Sequence, residues 1–242
     1  MSIKTSQNYS PNFSTRRRNP EKIKYIVYHY TGMRSESKAI KRLTDVNSKV
    51  SCHYFIKKDG DIILMVPEIY SSWHAGRSNW KKDKSLNKKS VGIEIANKGH
   101  NLGYEHFSKI QINSLIKLSK YLIKKYKIKK SNILGHSDIA YKRKKDPGEK
   151  FPWAHLSRKN ISQWHNINET KLQKFRKKKI SNFEKNQFFK FLYKIGYSPK
   201  FKNKSEKNKL VKSFQMHFRQ KLINAIIDQE CLLIAKTLSK IS

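Results

Sequence analysis

The sequence predicts an α/β fold, in which a mixed central β-sheet is flanked by helices and followed by a small three-helix domain. Two observations lead to this prediction. Short runs of β-branched and aromatic residues alternate with segments of helical apolar spacing over most of the chain. Beyond residue 180 the apolar spacing is helical only, in three short segments.

Strand patterns occur at three places before residue 100. Residues 23–30 are β-branched and aromatic, which is typical of a buried strand, and the strand is predicted to end near His29. Residues 52–66 predict a hairpin, because two apolar runs are joined across an Asp-Gly pair that favours a tight turn. Residues 91–97 predict another short apolar strand.

Helices are predicted between and after these strands. Residues 35–46 have the pattern of a short helix. Ser108 and Gln111 form a capping-box pattern, and the apolar residues that follow recur at helical spacing as far as Tyr126. Residues 132–136 then predict a brief strand that ends at His136.

Composition divides the chain into four stretches. Residues 1–20 are polar with two prolines and predict an extended arm. Residues 21–170 contain the alternating strands and helices of the α/β domain. Residues 171–180 are basic and polar and predict a linker, and residues 181–242 predict the helical domain.

The net charge of +37 suggests nucleic acid or another anionic surface as a partner. However, the chain has 44 lysines and only 10 arginines, whereas specific phosphate recognition favours arginine. The excess is also spread along the chain, as an AT-biased genome would spread it. We therefore expect no specific nucleic-acid partner, while a use for the charge stays open.

Two distant cysteines exclude a disulfide framework. No apolar run approaches the roughly 18 residues that suggest a membrane span, so we expect no transmembrane segment. The first 20 residues have neither the apolar core of an export leader nor a cysteine for a lipid anchor. As written, the sequence predicts a cytoplasmic protein.

The ends of two predicted strands carry histidines, His29 and His136. Adjacent strand ends can bring such residues together, and Asp146 in the loop beyond His136 could be a third ligand. Two imidazoles with one carboxylate suit zinc and leave a position open for water. The spacing alone also allows each histidine to be an ordinary packing or surface residue.

Glu94 is an acidic residue inside an apolar strand. It shares a strand face with Gly92 and Ala96, whose small size leaves room for a ligand beside the carboxylate. The alternative is an exposed strand glutamate without a function.

Five motifs along residues 20–165 resemble, in order, those of type 2 N-acetylmuramoyl-L-alanine amidases. They are VYHYTG, SCHYFIKKDGDI, WHAG, SVGIEIAN and GHSDIAYKRKKDPGEKFPW. The resemblance implies the fold of the peptidoglycan-recognition proteins and hydrolysis of the amide between N-acetylmuramic acid and L-alanine. The alternative is a non-catalytic peptidoglycan-binding module of the same fold, but the presence of every ligand favours an enzyme.

The resemblance also assigns roles to single residues. It implies one Zn²⁺ per chain, bound by His29, His136 and Asp146. Glu94 falls on the catalytic glutamate of the family, which exchanges protons with water and the leaving amine. Lys144 falls on a lysine expected to stabilise the developing oxyanion.

Further residues of the motifs are weaker candidates. Asp138 lies only two residues from His136 and competes with Asp146 for the role of carboxylate ligand, but the motif gives it a supporting role, such as orienting the loop. Trp73, His74, His53 and Asn97 are the weaker candidates for substrate binding. Packing is the alternative for the two histidines, and loop capping is the alternative for Asn97.

The chain after residue 180 resembles the three-helix peptidoglycan-binding domain that follows the amidase in the AmiD branch of the family. It departs from that pattern after the FQMHFR motif, where Ala225 stands in place of a turn glycine. A left-handed turn is harder to form without glycine, so we expect weakened wall binding. The implied partner is peptidoglycan or a muropeptide, and the protein is expected to be a monomer. The family implies the cell envelope as its location, in conflict with the absent leader.

Overall fold

The computed structural model describes residues 3–241. The strands are β1 (Ser6–Gln7), β2 (Phe13–Ser14), β3 (Tyr25–Tyr30), β4 (Tyr54–Ile56), β5 (Ile62–Leu64), β6 (Ser71–Ser72), β7 (Asn79–Trp80), β8 (Asp83–Lys84), β9 (Ser90–Ile95) and β10 (Ile133–Gly135). The helices are α1 (Glu36–Thr44), α2 (Lys109–Tyr126), α3 (His136–Ala140), α4 (Trp153–Arg158), α5 (Glu169–Phe175), α6 (Asn182–Ile195), α7 (Lys204–Phe218) and α8 (Gln229–Leu238).

A six-stranded sheet lies at the centre, in the order β1-β5-β4-β9-β3-β10. Strands β4, β9, β3 and β10 run parallel to one another, whereas the hairpin partner β5 is antiparallel to β4. The predicted mixed sheet with flanking helices is therefore confirmed. Because the central strands are parallel, their carboxyl ends meet at one edge of the sheet.

Helix α2 covers one face of this sheet. The predicted capping box is present, since Ser108 Oγ accepts from Gln111 N at 3.2 Å and Gln111 Oε1 accepts from Ser108 N at 3.1 Å. Leu115, Leu118 and Leu122 recur at helical spacing, are fully buried and pack against β3 and β9. Burying this apolar stripe fixes the helix on the sheet.

The opposite face of the sheet packs on the C-terminal helices. Val27 of β3 and Leu134 of β10 belong to the same buried cluster as Phe188, Leu192 and Phe214 of α6 and α7. The helical domain therefore shares a hydrophobic core with the sheet.

No helix within residues 3–241 is long and apolar enough to cross a membrane.

Two segments that were predicted to be an arm and a linker are packed parts of the fold. The N-terminal arm is extended, but β1 pairs with β5 and β2 with β6. Arg18 anchors its end by donating to the carbonyl oxygens of Glu68 at 2.7 Å and Ser90 at 2.6 Å. Helix α5 occupies the first half of the expected linker, where Leu172 is buried and Arg176 bonds Glu230 at 2.6 Å. The sequence pattern missed the contacts of α5 because residues 171–180 are rich in charged side chains.

The turn after α7 forms without glycine. Ala225 adopts a left-handed conformation with φ of 63°. Gln215 Oε1 accepts from the backbone N–H groups of Asn224 and Ala225, both at 3.0 Å, and thereby holds the turn. The conformation costs about 1–2 kcal/mol for a residue with a Cβ atom, and the side-chain clamp offsets this cost.

Candidate metal centre and active-site cleft

Three buried side chains converge at the carboxyl edge of the sheet. His29 Nδ1 lies 2.9 Å from His136 Nδ1 and 3.0 Å from Asp146 Oδ2, and the last two atoms are 3.0 Å apart. The three residues are at most 6% exposed. They are the only group of three or more potential metal ligands found within residues 3–241.

Strand register explains how residues so distant in sequence meet. Tyr28 of β3 is the partner of Gly135 of β10, so the residues that follow them, His29 and His136, are also neighbours. His136 is the first residue of α3, directly after β10, whereas the sequence predicted it as a strand end. A Cβ atom on Gly135 would lie 2.6 Å from Pro147, so glycine is required there for the Asp146 loop to approach.

The geometry and the donor types fit a zinc ion. Tetrahedral zinc with bonds of about 2.0–2.1 Å separates its ligand atoms by about 3.3 Å, close to the 2.9–3.0 Å observed here. Two imidazole lone pairs and a carboxylate at this separation repel or compete for one proton unless a cation lies between them. Zinc takes both donor types, and three protein ligands leave a fourth position for water.

His29, His136 and Asp146 form a triangle of proposed ligands, and hydrogen bonds outside this triangle fix the tautomer of His29. Ser90 Oγ donates to the Leu86 carbonyl at 2.7 Å, so the hydroxyl accepts from His74 Nε2–H at 3.0 Å. Neutral His74 then accepts at Nδ1, which leaves His29 Nε2–H as the donor across 3.0 Å. His29 therefore presents a bare Nδ1 lone pair to Asp146 and His136. Burial, followed by the charge of His29, His53 and other neighbours, holds the pKa of His74 well below its usual value, in agreement with a neutral ring.

His136 is oriented in the same way by Ala75, the residue that follows His74. Its Nε2–H donates to the Ala75 carbonyl at 3.2 Å, so its Nδ1 is also free to bind a metal. His74 and Ala75 thus orient one proposed ligand each. Gly92 allows this arrangement, because a Cβ atom there would lie 2.3 Å from the His74 ring. The space beside Glu94 that the sequence suggested for a ligand is thus filled by His74.

Charge around the triangle favours the metal-binding forms of its members. Burial, followed by the nearby His136, lowers the pKa of His29 to about 4. Burial opposes ionisation of Asp146, and His136 and His29 hold the pKa of this carboxyl well below its usual value only while they carry a proton. At neutral pH His29 is an imidazole without its extra proton, which is the form that zinc requires, and a bound zinc ion would then supply the positive charge that stabilises the Asp146 carboxylate.

Glu94 lies beside this triangle, as the register partner of His29 on β9. Its side chain is partly exposed towards the cleft, yet its Oε2 atom is buried and has no hydrogen-bond partner in the described part of the chain. Burial, with the charge of Asp146, raises the pKa of Glu94 well above its usual value, while Lys144 acts in the opposite direction. A carboxyl group with a raised pKa in a cleft is suited to proton transfer.

The cleft in front of these residues has a volume of about 410 Å³. Trp73, His74 and Lys144 line it, and His74 also supports His29 from behind. The structure does not bring His53 or Asn97 to the cleft. His53 Nδ1 accepts from Gly92 N at 3.0 Å, and its Nε2 lies 3.1 Å from the Tyr70 carbonyl oxygen. The side chain of Asn97 caps its own loop, bonding the backbone of residues 99 and 105.

Arg143 is a cleft residue that the sequence did not single out. Its guanidinium donates to the carbonyl oxygens of Arg77 at 2.9 Å and of Ala75, and it lies 3.4 Å from His136 Nε2. Four of the five residues from Lys142 to Asp146 are basic, so composition gave no reason to prefer it. Only the structure shows that Arg143 holds the segment that orients His136.

Comparison with known proteins places this chain in a family. The model of the N-acetylmuramoyl-L-alanine amidase family Amidase_2 matches residues 19–149. The chain is 34% identical over 230 residues to N-acetylmuramoyl-L-alanine amidase AmiD of Escherichia coli K12, covering 90% of this chain and 82% of AmiD.

Two solved structures have a similar fold over nearly the whole chain. One is E. coli AmiD in complex with the substrate anhydro-N-acetylmuramic acid-L-Ala-D-gamma-Glu-L-Lys, with a TM-score of 0.80, 32% identity, and coverage of 94% of this chain and 91% of that one. The other is AmpDh3 of Pseudomonas aeruginosa in complex with anhydromuramic pentapeptide, with a TM-score of 0.79, 28% identity and 94% coverage of both chains. Because the family match spans more than half of the chain and contains all three converging residues, this chain belongs to the N-acetylmuramoyl-L-alanine amidases, a family of hydrolases.

Proposed function

We propose that this protein uses one zinc ion to hydrolyse the amide bond between N-acetylmuramic acid and L-alanine in peptidoglycan or muropeptides. The observation that carries the proposal is the triangle of His29, His136 and Asp146 with the carboxyl group of Glu94 beside it. When bound, zinc supplies positive charge that lowers the pKa of water and polarises a carbonyl. The remaining chemistry belongs to residues of the chain.

Glu94 is the proposed proton carrier. Its carboxylate takes a proton from the attacking water as the water oxygen bonds to the lactyl carbonyl carbon. The same proton then passes to the alanine nitrogen as the C–N bond breaks, which releases a carboxylic acid and an amine; the acid then loses its proton to solvent or to the amine. The partly buried position and the raised pKa of Glu94 support this role, because the carboxyl group must both accept and return a proton near neutral pH.

Lys144 is the proposed stabiliser of negative charge on the carbonyl oxygen. Its side chain is half-buried and lines the cleft, and within residues 3–241 it has neither an ion pair nor a hydrogen bond. A cation that is not engaged by the protein can bind charge that develops only during the reaction, so it favours the transition state over the substrate.

The charge of the cleft supports a muropeptide substrate. Arg42, Arg143 and Lys145 line the cleft together with Lys144, and peptide stems of muropeptides carry carboxylates that these cations attract. The relatives crystallised with anhydromuramyl peptides have the same fold. We propose that residues 181–242 add a peptidoglycan-binding surface.

The second candidate is a peptidoglycan-binding module without activity. All three ligand positions carry residues that can bind zinc, and the Oε2 atom of Glu94 has no hydrogen-bond partner within residues 3–241. Both observations favour the enzyme. The test is mass analysis of purified muropeptides after incubation with the protein, with and without a chelator. The proposal predicts release of a peptide with a free L-alanine amine, and no release in the chelator arm. Binding of muropeptides without peptide release by zinc-loaded protein would favour the module.

A further inference from the structure

The segment that carries two of the three proposed zinc ligands is held by the C-terminal helical domain. Residues 135–151 contain His136 and Asp146, and their backbone is tied internally by Ser137 N, which donates to the Asp146 carbonyl at 2.8 Å. On its outer side this segment packs on α7 and on the residues that flank α6 and α7. Ile139 and Ala140 of the segment join the apolar cluster of these helices, and polar contacts add to this packing.

The first contact is made by Asp138, which is 1% exposed. Its carboxylate accepts from Gly135 N at 2.7 Å, inside its own segment. The other two partners belong to the helical domain, since Tyr197 Oη donates to Oδ1 at 2.6 Å and His217 Nδ1 lies 2.7 Å from Oδ2. The His217 ring stacks on Trp153 with ring centroids 3.7 Å apart, so its position is fixed on both sides of the junction.

The second contact is made by Gln220, just after α7. Its side-chain amide donates to two carbonyl oxygens of the loop that follows Asp146, at 2.6 Å to Glu149 and 2.7 Å to Phe151. Ser213 adds a bond to helix α3, because its Oγ donates to the Ser137 carbonyl at 2.8 Å. The helical domain thus holds the backbone on both sides of the two ligands.

We propose that the helical domain is a structural component of the metal centre, with Tyr197, His217 and Gln220 as positioning residues for His136 and Asp146. This inference rests on the proposed zinc site and extends it. None of the three residues reaches the cleft lining, so their effect passes through the backbone of residues 135–151. A metal site holds its ion tightly only where the protein fixes the ligand geometry, and loss of a supporting contact typically weakens metal affinity about 10–100-fold.

The test is the zinc affinity of the full-length protein, measured by competition with a chromogenic chelator. Tyr197→Phe removes a donor to Asp138, and Gln220→Met removes both donors to the loop at similar side-chain volume. We expect the double variant to bind zinc at least about 10-fold more weakly and to shift the visible absorption of the cobalt-substituted protein. Tyr193→Phe is the matched control, because Tyr193 lies on α6 and is 69% exposed.

A second control separates positioning from general loss of stability. Phe188→Leu should loosen the same helical core, since Phe188 is fully buried against Phe214, but it leaves the contacts to residues 135–151 in place. Unchanged zinc affinity in the double variant, or an equal loss in Phe188→Leu at equal thermal stability, would overturn the inference. Zinc-loaded wild-type protein that cleaves no muropeptide would instead count against the proposed function only.

Discussion

His29 and Glu94 are register partners on the adjacent parallel strands β3 and β9, so their side chains project from the same face of the sheet. One is a proposed zinc ligand and the other the proposed proton carrier. Because rigid strands hold both, their separation does not depend on a loop. Substitutions in the site should therefore separate metal binding from catalysis.

Glu94→Gln should leave zinc affinity nearly unchanged and lower the turnover of muropeptides by about 10²–10⁴-fold, the usual contribution of a positioned acid–base group. The amide has the same size but cannot accept the water proton. Zinc content and turnover, measured on the same preparation, check this prediction. Turnover equal to that of the wild type would remove Glu94 from its proposed role.

Lys144→Met should lower turnover by about 10²–10³-fold without loss of zinc, because the charge that stabilises the carbonyl oxygen disappears. Lys142→Met is the control. Lys142 lies two residues away and forms an ion pair with Glu206 at 2.7 Å, outside the cleft lining. Comparable losses in the two variants would indicate a general effect of charge rather than a specific role of Lys144.

Ser90→Ala should weaken zinc binding by roughly 10-fold, because His74 Nε2–H loses its acceptor and the tautomer of His29 is no longer fixed. Ser71→Ala is the matched control, since the Ser71 hydroxyl is equally buried but has no hydrogen-bond partner among residues 3–241. Chelator competition measures both. Equal zinc affinity in wild type and Ser90→Ala would contradict the hydrogen-bond chain.

Acid should destabilise the zinc-free protein. Burial is the main reason that the pKa of His29 and of His165 is lowered to about 4, and that the pKa of His53 and of His74 lies well below its usual value. These rings therefore stay neutral in the folded state. Unfolding therefore takes up protons below about pH 6.5, the ordinary histidine pKa, and the free energy of unfolding falls as the pH drops. Glu94 opposes this trend, because its raised pKa makes the folded state bind one extra proton above about pH 4.3.

Chemical denaturation of the zinc-free protein between about pH 4.5 and 7 checks the direction of this pH dependence. The interval covers the range between the reference pKa values of glutamate, about 4.3, and histidine, about 6.5. The free energy of unfolding should rise with pH, and it should rise more steeply in Glu94→Gln, where the opposing group is absent. A flat profile in both proteins would show that the buried histidines do not resist protonation.

Ala225→Gly should stabilise the protein by up to about 1 kcal/mol, because glycine adopts the left-handed conformation without the Cβ penalty, while the unfolded chain gains some entropy. Ala235→Gly is the control, since Ala235 lies inside helix α8 and glycine there should destabilise by about 1 kcal/mol or more. Thermal unfolding measures both. Destabilisation of similar size in both variants would show that the turn at Ala225 carries no strain.

Local patterns were sufficient to predict much of the sheet and of the site. The alternation of residues along β9 predicted that Glu94 projects from one face of the strand and Val91 and Ile95 from the other, and the structure confirms that these two apolar side chains face α2. The sequence could not predict that His74 fills the space over Gly92, because that contact joins a loop to a strand. The partners of Asp138, which lie 59 and 79 residues away, were equally hidden. Such contacts depend on how complete elements pack, and no local pattern records them.

The separation of 107 positions between His29 and His136 also determines when the candidate metal centre can form during protein synthesis. A ribosome delivers the N-terminal part of a chain first, so β3 emerges long before the strand that completes the ligand pair. The contacts of Gln220 are available only when nearly all of the chain has been made. The proposed zinc site is therefore complete only after the strands that carry its ligands have come together in the sheet.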